Sequence, residues 1–352
     1  MPHRLEAAST KRDRAYGQTL TYSPKVFLPV TNLCRNVCSY CAFRRSPGQP
    51  GAQTMTREQV VAALDQASAL GCVEALLCLG DTPETGFPAY QRLLESWGFD
   101  STVSYLEWIA HQAIERGLLP HTNAGILSSE AMARLRRCNV SLGLMLESNS
   151  DRLCEPGMPH HSAPDKRPAL RRHMIAEAGR LMIPFTSGIL VGFGETKGER
   201  VEAIDALAAL HDQHGHLQEV IVQPFRAHAG TKMRAHPGAI DPDLLETIAM
   251  ARMRLPASIS IQSPPNLAPG AVEALIEAGI NDFGGISPVT PDFINPGYPW
   301  PVIDALAARC AAQGKTLRPR LPVYERYRLE GGWIDERLIE PARQCALALE
   351  AV

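Results

Sequence analysis

The sequence of 352 residues holds no apolar run approaching the ~20 residues needed to cross a bilayer. Its opening stretch, MPHRLEAASTKRDRAYGQ, lacks the apolar segment of a secretory leader, so a cytosolic location is expected. Charge of one sign is also missing. Lys and Arg number 35 against 37 Asp and Glu, a formal charge of -2. That balance argues against electrostatic binding to nucleic acid and against a polybasic membrane anchor. With 45% hydrophobic and 20% charged residues, disordered and collagen-like classes are excluded. No stretch is rich enough in Pro, Gly or Ser to mark a linker between domains. A disulfide framework is missing as well. The nine cysteines are odd in number, and three of them crowd into eight residues at Cys34, Cys38 and Cys41. In a reducing cytosol such a cluster points to metal binding or catalysis, and the six scattered cysteines read as small buried hydrophobes.

What the sequence does have is a repeating unit, an apolar strand followed by an amphipathic helix. Strands are expected at KVFLPV (25–30), VEALLCL (73–79), around Leu119–Thr122, VSLGLML (140–146), PFTSGILV (184–191), EVIVQPF (219–225), SISIQ (258–262) and NDFGG (281–285). Thr56 with Gln59, and Thr196 with Glu199, form capping boxes that open two of the helices. Eight such units, with strands apolar throughout, predict an α/β fold of the (β/α)8 TIM-barrel type. A doubly wound sheet is the competing architecture, but it calls for a Gly-rich nucleotide turn after strand 1, where this chain carries cysteines. Residues 1–20 read as an N-terminal arm, 21–316 as the barrel, and 317–352 as a C-terminal extension packed on it.

The chemistry centres on Thr31-Asn32-Leu33-Cys34-Arg35-Asn36-Val37-Cys38-Ser39-Tyr40-Cys41, a C-x3-C-x2-C spacing with an aromatic residue before the third cysteine. Three thiolates neither close a tetrahedral zinc site nor complete the four-cysteine set of an electron-transfer [4Fe-4S] cluster. Three ligands on four irons leave one iron open to an amine and a carboxylate. The motif resembles that of the radical S-adenosylmethionine (SAM) superfamily. That resemblance implies a [4Fe-4S] cluster held by Cys34, Cys38 and Cys41, with SAM on the open iron. It also implies cofactor contacts from Tyr40, from Gly80, Asp81 and Glu84 after strand 2, and from Glu147 after strand 4. Gly188, Gly192 and Glu195 fall in a G-x-I-x-G-x-x-E element expected beside the adenine, and Gln223 follows on strand 6. Residues 80–84 read Gly-Asp-Thr-Pro-Glu where the superfamily often has Gly-Gly-Glu.

The second half narrows the resemblance. PFTSGIL (184–190), GHLQEVIVQ (215–223), IQSPPNL (261–267) and AGINDFGGISPVTPD (278–292) are similar to the family of FO synthase subunit 1, the 7,8-didemethyl-8-hydroxy-5-deazariboflavin synthases of coenzyme F420 biosynthesis. Pro224 and Phe283 depart from that family's pattern. The resemblance implies cyclisation of a 4-hydroxybenzyl–ribityluracil adduct with release of ammonia. It also implies FO synthase subunit 2 as the partner that makes the adduct, and ferredoxin or flavodoxin as reductant. Asp282, His228, Gln262 and Asn266 are the expected catalytic residues, and Ser187, Ser287 and Thr290 further substrate contacts. Other barrel radical SAM enzymes (subunit 2, biotin-synthase-like or maturase-like) and a non-catalytic iron-sulfur protein are the alternatives.

Overall fold

A computed structural model describes residues 2–350. Nine strands form its sheet: β1 (Thr19–Thr31), β2 (Glu74–Leu79), β3 (Leu119–Asn123), β4 (Ser141–Gly143), β5 (Phe185–Val191), β6 (Leu217–Pro224), β7 (Ser260–Gln262), β8 (Asp282–Ile286) and β9 (Thr316–Pro319). The order runs β2-β3-β4-β5-β6-β7-β8-β1-β9, and a further pairing of β1 with β2 closes the first eight into a parallel barrel. Helices lie between the strands, as crossover connections in parallel sheets require. The expected α/β barrel is therefore present.

Local signals in the sequence set several of its boundaries. The Thr56 and Thr196 side chains accept from the N3 amides while Gln59 and Glu199 return bonds to the caps. Each box satisfies two amides that a helix start would otherwise leave bare, an effect of about 1 kcal/mol. Strands 4 and 7 are only three residues long, shorter than their apolar runs, although Leu144 and Glu147 still bond β5 beyond Gly143 and Ser263 still bonds Asp282 beyond Gln262. Between β2 and helix Thr102–Ile114 stand two further helices, Pro83–Gly86 and Pro88–Ser96, beyond the eight strand–helix units.

The N-terminal segment is a helix, Pro2–Tyr16, laid across the outer helices. Arg12 fixes it there, donating to the Ile276 carbonyl at 3.0 Å and the Ile280 carbonyl at 2.8 Å. At the other end of the chain, β9 pairs with the first residues of β1, and the following segment crosses the N-terminal mouth of the barrel. Leu321, Val323, Tyr327 and Trp333 pack there against Val73, Leu119 and Val140. Arg320 enters the barrel floor, bonding Asp282 at 2.6 and 2.8 Å and Glu219 at 2.6 Å. The floor is thus plugged, and the interior opens only toward the C-terminal ends of the strands.

Four buried histidines, His121, His160, His211 and His216, give the fold a specific acid sensitivity, burial lowering each of them. Burial holds His121 down to about 4 and His160 and His216 down to about 3. An unfolded histidine takes up a proton near pH 6.5, whereas these stay neutral in the native state, so stability is lost as pH falls from about 6.5 toward 4. His216 is the cleanest probe, because neither ring nitrogen has a partner. In His216→Leu the unfolding free energy relative to wild type should rise by about 1.4 kcal/mol for each pH unit below 6.5. Urea unfolding at pH 7, 6 and 5 measures this. A pH-independent difference would show that folding leaves proton binding at His216 unchanged, against the burial account.

Candidate active site

β1 runs directly into the cysteine loop at the C-terminal mouth. The loop is held open rather than collapsed, because its polar backbone finds distant partners. Asn32 bonds the Gly51 carbonyl at 2.7 Å and accepts the Gln53 amide at 2.9 Å. The Val37 amide donates to Ser162 O at 2.8 Å and the Ser39 amide to Pro159 O at 2.9 Å. Arg35 and Asp165 form a two-pronged ion pair. Gly80 must be glycine, since a methyl group there would collide with the Leu33 carbonyl and the Cys34 side chain.

Cys34, Cys38 and Cys41 all line one cavity of about 280 Å³, and all nine cysteines of the chain are free thiols. The Asp81 amide donates to Cys34 Sγ at 3.2 Å and the Arg44 amide to Cys41 Sγ at 3.4 Å. Burial pushes the Cys34 thiol up to about 11 and Cys38 up to about 12, so each needs a cation before it ionises near neutral pH. Among the described residues no three His, Cys, Asp or Glu side chains converge on a point that a single metal ion could fill. In a four-iron cluster three thiolates are spread over three different irons.

Fixed charges stand beside the thiols. Asp81 accepts the Ile126 amide at 2.8 Å and pairs with Arg171 at 3.3 Å, and burial raises its carboxyl. Glu147 pairs with Lys166. Burial pushes the Glu147 carboxyl up, but Lys166 and Arg171 outweigh it, and the net displacement is downward. Glu147 also adopts φ +66°, a left-handed conformation that costs a non-glycine residue free energy and turns its carboxylate into the cavity. Tyr40 packs edge-on against Phe193 and Phe225, with its hydroxyl 2.9 Å from His160 Nε2. Two anions and two cations on one wall can receive a ligand that carries both an amine and a carboxylate. The far side of the cavity, with Phe27, Cys78, Asn123, Ile221, Gln223 and His228, is mixed apolar and polar, as an organic substrate requires.

Residues 28–207 match the radical SAM superfamily. Over 322 residues the chain is 42% identical to the 7,8-didemethyl-8-hydroxy-5-deazariboflavin synthase of Methanopyrus kandleri, a match that covers 91% of this chain and 96% of that one. The chain belongs to the 7,8-didemethyl-8-hydroxy-5-deazariboflavin (FO) synthase family. It is also 45% identical over 327 residues to the FO synthase of Mycobacterium tuberculosis, covering 91% of this chain but only 38% of that longer one. Among solved structures, the [FeFe]-hydrogenase maturase HydG matches with a TM-score of 0.75 at 16% identity, over 99% of this chain and 82% of that one. Methylornithine synthase matches with a TM-score of 0.67 at 17% identity, over 91% and 89%. These two likenesses concern the fold alone.

Radical SAM membership implies a [4Fe-4S] cluster and SAM, and this cavity fits both by its donor chemistry. Three free thiols, two of them accepting N–H bonds, line it together with paired carboxylates and cations. Sequence reasoning did not single out Lys166 and Arg171. Lys166 ends a 3-10 turn, Pro164–Lys166, and Arg171 lies on the buried face of helix Pro168–Arg180, where a charged residue gives no apolar signal.

Several expected site residues lie elsewhere. Glu84 accepts from Thr102 behind the cavity wall. Glu195 clamps its own turn, accepting the Gly192 amide at 2.7 Å and the Phe193 amide at 2.9 Å while pairing with Arg200 at 2.8 Å. Gly188 is glycine because a side chain would strike the Ile221 carbonyl. Asn266 donates to Asp292 Oδ2 at 3.0 Å and to Tyr298 O at 3.1 Å, holding the loop after β8. Ser287 and Thr290 fix that same loop, and Ser187 donates to the Leu144 carbonyl at 2.8 Å. Asp282 is the first residue of β8 and sits on the barrel floor with Arg320, at the end opposite the cysteines. Gln262 also points into the floor, and its amide donates to Glu219 at 3.1 and 3.3 Å when the nitrogen faces that carboxylate. Of the expected catalytic residues, only His228 lines the cavity; its Nε2 is buried without a partner.

Gly192 changes meaning in the same way. It has φ +86°, and a methyl there would collide with the Ala239 backbone rather than with a ligand. Gly192→Ala is therefore expected to cost about 1–3 kcal/mol of stability from backbone strain and overpacking. Chemical denaturation measures it. An unfolding midpoint equal to wild type would contradict the packing account.

Proposed function

We propose that this chain is the cyclase component of FO synthesis, corresponding to subunit 1. It would convert the 5-amino-5-(4-hydroxybenzyl)-6-(D-ribitylimino)-5,6-dihydrouracil adduct to 7,8-didemethyl-8-hydroxy-5-deazariboflavin with release of ammonia. The observation that carries this reading is the convergence of Cys34, Cys38 and Cys41 on the same cavity as Asp81, Glu147, Lys166 and Arg171. The near full-length match to the archaeal synthase supports the product assignment.

In this reading Cys34, Cys38 and Cys41 hold the cluster, and Asp81, Glu147, Lys166 and Arg171 receive the amine and carboxylate of SAM. The bound pair supplies one-electron reduction and a 5′-deoxyadenosyl radical for hydrogen abstraction. The chain's own residues exclude water and position the adduct. Tyr40, Phe193 and Phe225 close the cavity beside the cysteines, which keeps competing hydrogen donors out. Gln223 offers both a donor and an acceptor to a uracil edge. His228, unpartnered at Nε2, is placed to take up or deliver a proton as the ring aromatises. Glu84, Asn266, Asp282 and Glu195 act as supports. The adduct would come from a second enzyme unit, subunit 2, and electrons from a cytoplasmic ferredoxin or flavodoxin.

An anaerobic incubation of reconstituted protein with SAM, reductant and synthetic adduct tests the proposal. FO fluorescence should appear with one equivalent of ammonia. SAM cleavage without FO at any substrate concentration would overturn the assignment of product.

A further inference from the structure

Asn123 brings an amide to a part of the cavity whose other walls are largely apolar. It ends β3, two residues after His121 and on the same face, and lines the cavity together with Leu76, Leu144, Leu190 and Ile221. Asparagine is uncommon within strands, and at a strand end its ordinary task is to bond the backbone of the following turn. Here that task is already done. Asp81 accepts the Ile126 amide at 2.8 Å and so holds the turn after β3. The two residues before Asn123 have partners: His121 Nδ1 lies 2.6 Å from Ser141 Oγ, and Thr122 Oγ1 donates to Asn139 Oδ1 at 2.7 Å. The Asn123 side chain makes no hydrogen bond to any described residue. Its register partner on β2, Cys78, offers only a thiol, which burial keeps protonated by pushing it up to about 12.

Strand order sets what stands across from it. β6 lies three places from β3 around the barrel and carries Gln223, a second cavity-lining amide with no partner among the described residues. Each amide offers both a donor and an acceptor. Two of them, on separate walls of a cavity otherwise lined by Leu, Ile and Phe at that side, select a ligand that presents a matching row of polar atoms.

We infer that Asn123 is a specificity-determining residue that grips the imide edge of the pyrimidinedione ring, its Oδ1 accepting from the ring N–H and its Nδ2 donating to an adjoining carbonyl. The inference rests on the cyclase reading above. In that reaction ammonia leaves the carbon that bears the benzyl group, and ring closure joins the ribityl nitrogen to the phenol ring. Neither step touches the carbonyl–N–H–carbonyl edge, so one residue can hold it from substrate to product. The remaining carbonyl of that edge is left for Gln223.

FO carries that edge, and FO methylated at the imide nitrogen lacks its N–H, so the two form a matched pair of probes. Their affinities are measured by fluorescence titration on the reconstituted full chain as wild type, Asn123→Ala and Asn123→Asp, with cluster content and thermal midpoint recorded for each. Wild type should prefer FO by about 10- to 100-fold, the loss expected for a buried hydrogen bond. In Asn123→Ala the preference should collapse, because FO binds more weakly while the methylated form does not. In Asn123→Asp the acceptor remains and the donor is gone, so both probes should bind more weakly with FO still preferred. If Asn123→Ala folds poorly, Asn123→Asp decides alone: weaker FO binding at normal cluster content and midpoint supports the inference, and wild-type FO affinity overturns it. A preference retained in full by Asn123→Ala, or no preference in the wild type, also overturns it, while FO synthesis by the wild type leaves the cyclase reading standing. A wild type that neither makes nor binds FO overturns the cyclase reading and this inference with it.

Discussion

Cys34→Ala, Cys38→Ala and Cys41→Ala are each expected to reduce 5′-deoxyadenosine formation to background. On the proposed reading each thiolate would bind one iron of the cluster, and a ligand lost from a three-cysteine set cannot be replaced by the remaining two. Cys72→Ala and Cys310→Ala serve as controls. Both thiols are buried away from the cavity, so these changes should cost at most a few kcal/mol of stability and leave turnover near normal. Chromatographic measurement of 5′-deoxyadenosine after anaerobic reconstitution separates the two groups. Wild-type formation in any of the first three variants would remove that cysteine from the site.

The second large effect concerns stability rather than chemistry. Arg320 is the shared partner of two buried carboxylates and stacks over Tyr324 at 4.6 Å. Burial pushes the Glu219 carboxyl up to about 8 even with Arg320 beside it. Removing the guanidinium in Arg320→Met leaves the Asp282 carboxylate buried without its cation and takes a hydrogen-bond donor from Glu219, a change that typically costs about 3–5 kcal/mol. Urea unfolding at pH 7.5 should show that loss. The double variant Arg320→Met/Asp282→Asn should recover part of it, because the stranded charge is gone. Additive effects in the double variant would mean that Arg320 and Asp282 do not interact. The sign with pH is also fixed. A carboxyl whose folded pKa is raised binds its proton more tightly in the native state, so its contribution to stability is lost as pH rises from about 4.5 toward 8.

Periodicity and capping made the barrel legible before any coordinates. The Thr56 and Thr196 boxes place two helices, and the uniformly apolar runs place strands buried on both faces. The cysteine loop was legible because its spacing is local. Depth within the barrel was not. NDFGG reads as a strand, but nothing in five residues says that Asp282 begins it, at the floor, rather than ending it at the mouth. Gln262 ends β7 yet turns inward, since the paired glycines of β8 leave it room there. Pairings such as Arg171 with Asp81 and Arg35 with Asp165 join residues 90 and 130 positions apart, and no periodic signal spans such distances.

The account stands on one arrangement: three cysteines holding a four-iron cluster whose remaining iron accepts SAM. Electron paramagnetic resonance of the anaerobically reconstituted, dithionite-reduced protein tests it most directly, with iron and sulfide counted on the same sample. The account predicts about four irons and four sulfides per chain and a reduced-cluster signal whose g-values move when SAM is added. A reduced [4Fe-4S] signal that SAM leaves unchanged, at full cluster occupancy, would contradict it.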